Sequence, residues 1–388
     1  MDVLIIGAGA AGLFCARTAG ARGRRVAVLD HAAQPGRKLL ISGGGKCNFT
    51  NRDVRADHYS SANPRFCMSA LAQFSAADCI AWIESHRIAY EERAAGQLFT
   101  CHGAAQIVNA LLQECAQAGV RLMLDAAIES VTRDAHAFVA KTARGVFCAP
   151  QLVVATGGLA YPQCGATGLG YDLARQFGLP VIAPRPALVP LQWQERERAL
   201  FGVLSGIALR AELRGGRHAV CDDVLFTHTG LSGPAALQMS TYWQPGQTLA
   251  LNLLPGVDVE QALRARQDGR EPLRRWLGRH LPRRVAHAVC ELHAVPDKPL
   301  AQLSRADVAR ARQALQCAAF TPAGTRGYAA AEVTAGGVDT AALSSKSLQA
   351  RGVPGLFFVG EVVDVTGQLG GYNLQWAWSS GHAAGQHV

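Results

Sequence analysis

The sequence predicts an α/β fold: a Rossmann-type domain assembled from both ends of the chain, with an inserted β-rich domain and a small helical domain between them. Three observations carry this. The chain opens on a buried strand, a glycine turn and a helix start. It closes on a second buried strand and a second glycine-bearing helix start. Between them the texture changes at a group of prolines, Pro180, Pro184, Pro186 and Pro190. A length of 388 residues exceeds what one core normally fills, and a hydrophobic fraction of 49% with only 17% charged residues supplies several cores and argues against disorder.

Residues 2–6, DVLII, read as a short buried strand, and GAGAAGLFCARTAGARG as a tight turn opening a helix. RRVAVLD follows as the next strand. Gly7, Gly9 and Gly12 stand in the G-x-G-x-x-G spacing, with Ala10 and Ala11 between them, and Asp30 ends the second strand. Each glycine has its own reason: Gly7 permits the turn, Gly9 lets backbone approach a pyrophosphate, and Gly12 lets helix pack on strand. The helix start offers unpaired N–H groups and the positive end of a dipole, and Asp30 would accept hydrogen bonds from ribose hydroxyls. This is a dinucleotide site in outline.

The stretch ISGGGKCNFTN, residues 41–51, carries three consecutive glycines before a lysine. It is not a phosphate-gripping P-loop, because Lys46 is followed by Cys47 and Leu40 stands where the first glycine is required. Residues 66–87 and 103–118 have helical periodicity. Residues 120–150 read as a meander, VRLMLDAAIESVTRD then AFVAKTARGVFCA, with a turn at Arg144-Gly145. QLVVATGG is a further buried strand that would deliver Thr156, Gly157 and Gly158 to the ligand edge of the sheet. Beyond it, GIALRAELRGG and HAVCDDVLFTH read as antiparallel strands joined at a Gly-Gly turn, TLALNLLPG as another strand, 258–316 as helical and 317–335 as strand-like. GLFFVGE is the last buried strand, and Gly370 and Gly371 lead into a helix from about Tyr372. A nicotinamide enzyme needs only the first βαβ unit. A second glycine-bearing helix start at the end of the chain favours FAD, whose site the last strand and helix commonly close.

Eleven cysteines are scattered without a C-x-x-C pair or metal-ligand spacing, which fits a reducing cytoplasm and no metal. The apolar first fourteen residues lack the basic segment of a signal peptide, and no run of eighteen apolar residues predicts a membrane span. The formal charge is +9. Much of the excess is arginine in 264–284, where Trp276, Leu277 and Leu281 recur at helical spacing and the arginines form the wet face. No nucleic-acid motif accompanies them, so the expected partner is a small-molecule substrate, with no nucleic acid and no membrane.

GAGAAG, PGRKLLISGGGKCNFTN, ATGG, FTHTGLSGP, TAGGV and PGLFFVGEVVDVTGQLGGYNLQWAWSSG together resemble the bacterial two-dinucleotide-fold flavoproteins that include aminoacetone oxidase and a flavin reductase of bile-acid dehydroxylation. The resemblance implies non-covalent FAD and an FAD-binding domain over 1–187 and 336–388. The β-rich domain would then be 188–257 with 317–335, and the helical domain 258–316. It also implies that Gly43 and Gly44 lie bare against the flavin and that Lys38, Ser42, Cys47, Asn48 and Thr50 line the same site. Gly360, Glu361, Asp364, Gly370, Tyr372, Asn373 and Leu374 would close it from the C-terminal side, and Ile128 would meet the adenine. Lys46 and Asp30 depart from the arginine and glutamate that relatives commonly carry.

The expected activity is that of an FAD-dependent oxidoreductase passing hydride through the flavin. No second G-x-G-x-x-G follows, so NAD(P)H would visit only transiently as reductant. A flavin-containing binding or regulatory protein, and a dehydrogenase using NAD alone, are the alternatives. Cys47 reads as a packing residue beside the ring rather than a redox group. His228 and Tyr161 are candidate proton donors, with a buried structural role the stronger reading for both.

Overall fold

The structure, a computed structural model, describes residues 1–265 and 269–388. The helical reading of 258–316 crosses residues 266–268, which lie outside the described residues. The chain forms two compact units, Met1–Pro186 with Glu332–Val388, and Ala187–Ala331.

The first unit is built on a five-stranded sheet in which every pair is parallel. Its order is Leu356–Phe358, Gln151–Val154, Val3–Ile6, Val26–Leu29, Arg121–Met123. Val3 faces Val26 on one side and Gln151 on the other. Chain order reverses across Val3–Ile6, so the strands' carboxyl ends open a crevice there, the switch point at which open α/β sheets take ligands. Val3, Leu4, Ile5, Val28 and Val153 are fully buried, which explains why these strands read as unbroken apolar runs rather than alternating ones. The last helix, Tyr372–Gly385, packs closely on Ala10–Ala21. A side chain at Gly381 would lie 2.5 Å from the Ala11 carbonyl oxygen, and one at Gly385 2.6 Å from Thr18.

Three sequence expectations are corrected. The 66–87 helix is two, Met68–Gln73 and Ala76–Ser85. Ser75 caps the second by accepting from Asp78 N at 3.2 Å, while the Asp78 carboxylate accepts from Ser75 N at 2.8 Å. The first strand of the meander also divides. Arg121–Met123 joins the parallel sheet, and only Ile128–Arg133, Phe138–Thr142 and Gly145–Ala149 form the antiparallel sheet. The division falls where Asp125 N and Ala126 N donate to the carbonyls of Ala32 and Asp30. Finally, residues 332–335 belong with the first unit rather than the insertion. Strand Val333–Val338 pairs with Val181–Ala187, and its glycines admit neighbouring backbone: a side chain at Gly336 would meet Ala183 O at 2.5 Å, one at Gly337 Val362 O at 2.5 Å.

The second unit holds a seven-stranded sheet whose centre is the hairpin Ala208–Gly215 and His218–Phe226, turning at Gly216-Arg217. Helices Val259–Arg264, Leu273–Leu277, Arg283–Leu292 and Arg305–Gln316 share one core with this sheet, in which Trp276, Leu277 and Val285 are buried together with Leu213, Val224 and Leu251.

Candidate functional site

The carboxyl ends of four adjacent parallel strands deliver Gly7, Asp30, Thr156 and Gly360 to one edge of the first unit. Gly7 and Gly12 are glycine because protein backbone occupies the space a side chain needs. A Cβ at Gly7 would sit 2.4 Å from Ala155 O, and one at Gly12 1.9 Å from Gly7 O. Gly9, which caps the helix with no side-chain acceptor, has no heavy atom within 4 Å of that position. Ala10, Ala11 and Gly12 form the first turn behind it, where N–H groups have no partner within the helix.

Asp30 is more than a solvated strand end. Its carboxylate accepts from Ala8 N at 2.6 Å and Ala32 N at 2.8 Å, fastening the glycine turn to the second strand.

Ser42, Gly43 and Gly44 follow the short helix Arg37–Ile41. The three loop glycines hold φ of 57°, 66° and 85°, the left-handed region that side chains disfavour. Only Gly43 is crowded, with Asn48 N and the Phe99 ring each 2.9 Å from its Cβ position; Gly44 faces open space. Cys47 is wholly buried, and burial pushes its thiol up to about 12 against an opposing hydrogen bond with Ser42. Its side chain is packed within the core of the first unit.

The C-terminal segment is clamped onto this loop. A side chain at Gly371 would meet Thr50 O at 2.4 Å. With its amide oxygen turned to Gly371, Asn48 accepts from Gly371 N at 3.1 Å and donates to Leu98 O at 3.2 Å. Thr50 Oγ1 donates to Gln375 Oε1 at 2.5 Å, and Asn51 Nδ2 donates to the Gly370 carbonyl at 3.0 Å. The Tyr372 carbonyl accepts from the Tyr59 hydroxyl at 3.0 Å, and the Tyr372 ring lies 4.6 Å from that of His58. Asn373 exchanges hydrogen bonds with the backbone of Gly367 at 2.8 and 2.9 Å, while Leu374 is half-buried against the core. Gly360 is held by Ser380 Oγ and Trp376 Nε1, each at 3.0 Å. Asp364 accepts from Ala62 N at 2.8 Å, although burial raises its carboxyl above the usual range.

A second cluster joins these elements. Lys38 Nζ reaches Glu361 Oε2 at 2.7 Å, and Glu361 Oε1 accepts from Thr334 N at 2.8 Å. Thr334 Oγ1 in turn accepts from Leu159 N at 2.8 Å and Ala160 N at 3.1 Å, pinning the ATGG loop. Gly158 is glycine because Thr334 Oγ1 and Glu361 Oε1 lie 2.4 and 2.6 Å from its Cβ position, whereas Gly157 faces open space. The Thr156 hydroxyl is buried and bonds to nothing among the described residues.

Sequence reasoning missed Thr334 and Glu332, although TAGGV marked the place. Burial raises the Glu332 carboxyl, opposed by the nearby Lys38 ammonium. Tyr161, half-buried, is raised by desolvation and by Glu332. His228 is exposed, which corrects the buried role expected for it. Ile128 starts the antiparallel sheet and is half-buried against the core of the first unit. Among the described residues no group of His, Cys, Asp and Glu forms a metal site.

The residues fit a dinucleotide. Gly9, Gly44 and Gly157 leave space that no protein atom fills, the first in front of free helix N–H groups, and the buried Thr156 hydroxyl lacks a partner. Switch-point sheet, glycine turn and C-terminal closure together define a Rossmann-type flavoprotein oxidoreductase. The chain belongs to the HI0933-like Rossmann family, whose description matches residues 1–387. It is 46% identical over 390 residues to the ribosomal RNA dihydrouridine synthase of Escherichia coli (strain K12), covering 100% of this chain and 98% of the relative. It is 29% identical over 402 residues to a 3-dehydro-bile acid delta(4,6)-reductase of Clostridium scindens, covering 98% and 97%. Among solved structures, a 3-ketosteroid-delta4-(5alpha)-dehydrogenase of Rhodococcus jostii RHA1 shares the fold at a TM-score of 0.50 and 14% identity, over 99% of this chain and 96% of that one.

Proposed function

We propose that this chain is an FAD-dependent reductase that saturates a uridine of ribosomal RNA, with NAD(P)H as the transient source of electrons. The observation that carries the reading is 46% identity along the whole chain to an enzyme of that activity. The bile-acid relative supports the reaction class, since both names describe adding hydrogen across a carbon–carbon double bond. In uracil the C5–C6 double bond is conjugated to a carbonyl, so a hydride and a proton reduce it. An RNA substrate replaces the small molecule expected from composition.

When bound, FAD supplies the hydride. The protein's own part is to bind, orient and stabilise. The first turn of Ala10–Ala21 offers N–H groups to the pyrophosphate, and Asp30 offers its remaining acceptor capacity to the ribose. Gly44 presents bare backbone to open space, and the Thr156 hydroxyl is free to donate. Tyr372–Gly385 begins without an acidic residue in its first turn, so its positive end favours negative charge nearby. Lys38, held by Glu361, keeps a cation at the same edge. The unbridged cysteines and the RNA substrate both suit the cytoplasm.

The test is anaerobic incubation of flavin-loaded protein with ribosomal RNA lacking dihydrouridine, given NADH or NADPH, followed by nucleoside mass spectrometry. Dihydrouridine at a defined site is expected. A loaded protein that forms none with either nucleotide overturns the substrate. One whose flavin is reduced by neither nucleotide, yet stays bound, is a flavin-containing binding protein.

A further inference from the structure

We propose that the arginine-rich helical part of the second unit, residues 269–316, is the surface on which ribosomal RNA docks through its phosphate backbone. The inference rests on the RNA substrate proposed above and adds the place where the polymer is held. Its first ground is where the charge lies. These residues hold ten Lys and Arg against four Asp and Glu, an excess of six, while the rest of the chain supplies only the remaining three of the net +9. Two-thirds of the net positive charge therefore sits in about an eighth of the sequence.

The second ground is that part of it is not neutralised, although Arg274 pairs with Asp297 at 3.8 Å and Arg312 with Glu260 at 3.7 Å. Glu271 is shared by Arg275 at 3.9 Å and Arg279 at 2.7 Å, and Asp307 by Lys298 at 3.4 Å and Arg310 at 4.0 Å. Arg270, Arg283 and Arg305 are exposed, and among the described residues no carboxylate lies within ion-pair distance of them. The first and last of these are close in the fold, because Gly269 and Glu271 accept from Ala301 N and Leu300 N at 3.2 and 2.9 Å, beside the turn that leads to Arg305.

The third ground is position within the helices. Arg283 and Arg305 are the first residues of Arg283–Leu292 and Arg305–Gln316, where the helix dipole favours a negative charge, and the first turn of Arg283–Leu292 contains no acid at all. Local stability alone does not select these arginines. An external polyanion does, since each phosphate neutralised releases counterions and strengthens binding. The buried side of Arg283–Leu292 is apolar, with Val285, Ala286 and Val289 in the core, so the arginines can change without disturbing it.

The test uses the full chain with Arg270, Arg283 and Arg305 all changed to Gln, and a companion in which all three become Lys. Binding to ribosomal RNA is measured across a KCl series, with flavin content and melting temperature as checks on folding. The Gln variant should bind at least about tenfold more weakly at low salt, with a log–log salt slope shallower by about 2, as expected for three lost phosphate contacts. The Lys variant should recover most of the affinity, because a point charge suffices for phosphate. A folded Gln variant with wild-type affinity and slope overturns the proposal, as does wild-type protein that binds phosphatidylglycerol vesicles more tightly than ribosomal RNA. Wild-type protein that docks RNA through these arginines yet forms no dihydrouridine supports the docking surface while removing the reaction. The reverse result, dihydrouridine formed equally by wild type and Gln variant, removes the docking surface and keeps the reaction.

Discussion

The turn Gly7–Gly12 and the loop Gly43–Gly45 are both glycine-rich, yet their glycines answer to different neighbours. At Gly7 and Gly12 the excluded side chain would strike the protein's own backbone, at 2.4 and 1.9 Å. At Gly9 and Gly44 nothing lies within 4 Å. The motif spacing is therefore two kinds of constraint interleaved: outer glycines that let strand and helix close, and a middle glycine that keeps a place clear. In the second loop only the first glycine is crowded: Gly43 is held by Asn48 and Phe99, while the left-handed backbone accounts for the next two.

The strongest way to break this contrast is at Gly12. Gly12→Ala puts a methyl within the radius of the Gly7 carbonyl and should cost about 3 kcal/mol or more, read as a fall in denaturant midpoint of the flavin-free protein. A midpoint equal to wild type would show that helix and strand separate at no cost. Gly9→Val tests the other kind of glycine. With an extended backbone, φ −85° and ψ −169°, and open space ahead, the variant should keep the wild-type midpoint but lose flavin occupancy. Full occupancy would mean that the pyrophosphate does not pass there.

Thr334→Val probes the clamp behind the ATGG loop. It preserves shape but leaves the N–H groups of Leu159 and Ala160 without their acceptor, a loss of about 2 kcal/mol. An unchanged melting curve would mean that water replaces the hydroxyl. The smallest effect concerns Glu332, whose carboxyl is raised by burial in the folded protein. As pH rises through the ordinary glutamate range the unfolded chain gives up this proton first, so stability falls until the folded group ionises as well and stays lower at every pH above that. Glu332→Gln should therefore stabilise the protein slightly at neutral pH and not at pH 3. Equal pH profiles for the two proteins would show that Lys38 compensates fully.

The first βαβ unit was legible because everything that defines it is local: an apolar run, three glycines at fixed offsets and an acid at the end of the next strand. The closing strand and the helix from Tyr372 were legible for the same reason. Less was visible where partners come from far along the chain. Gly158 reads as punctuation until Thr334 and Glu361 are found beside it, and residues 332–335 read as insertion until the strand Val333–Val338 is seen to pair with Val181–Ala187. The strand VRLML gave its strand character away, but which sheet takes it depends on Val26–Leu29, some ninety residues earlier.

By itself the sequence determined the Rossmann-type start and the return of the chain to the same sheet at its end. Each follows from short-range pattern, where side-chain period and glycine spacing translate directly into geometry. Only the tertiary structure decided which glycines face protein and which face open space, that Asp30 braces the turn through Ala8 and Ala32, and that Lys38, Glu361 and Thr334 form one linked cluster. Those contacts join residues separated by up to 323 positions. A hydrogen bond or a steric clash across that distance depends on where two backbones meet, which no local pattern encodes.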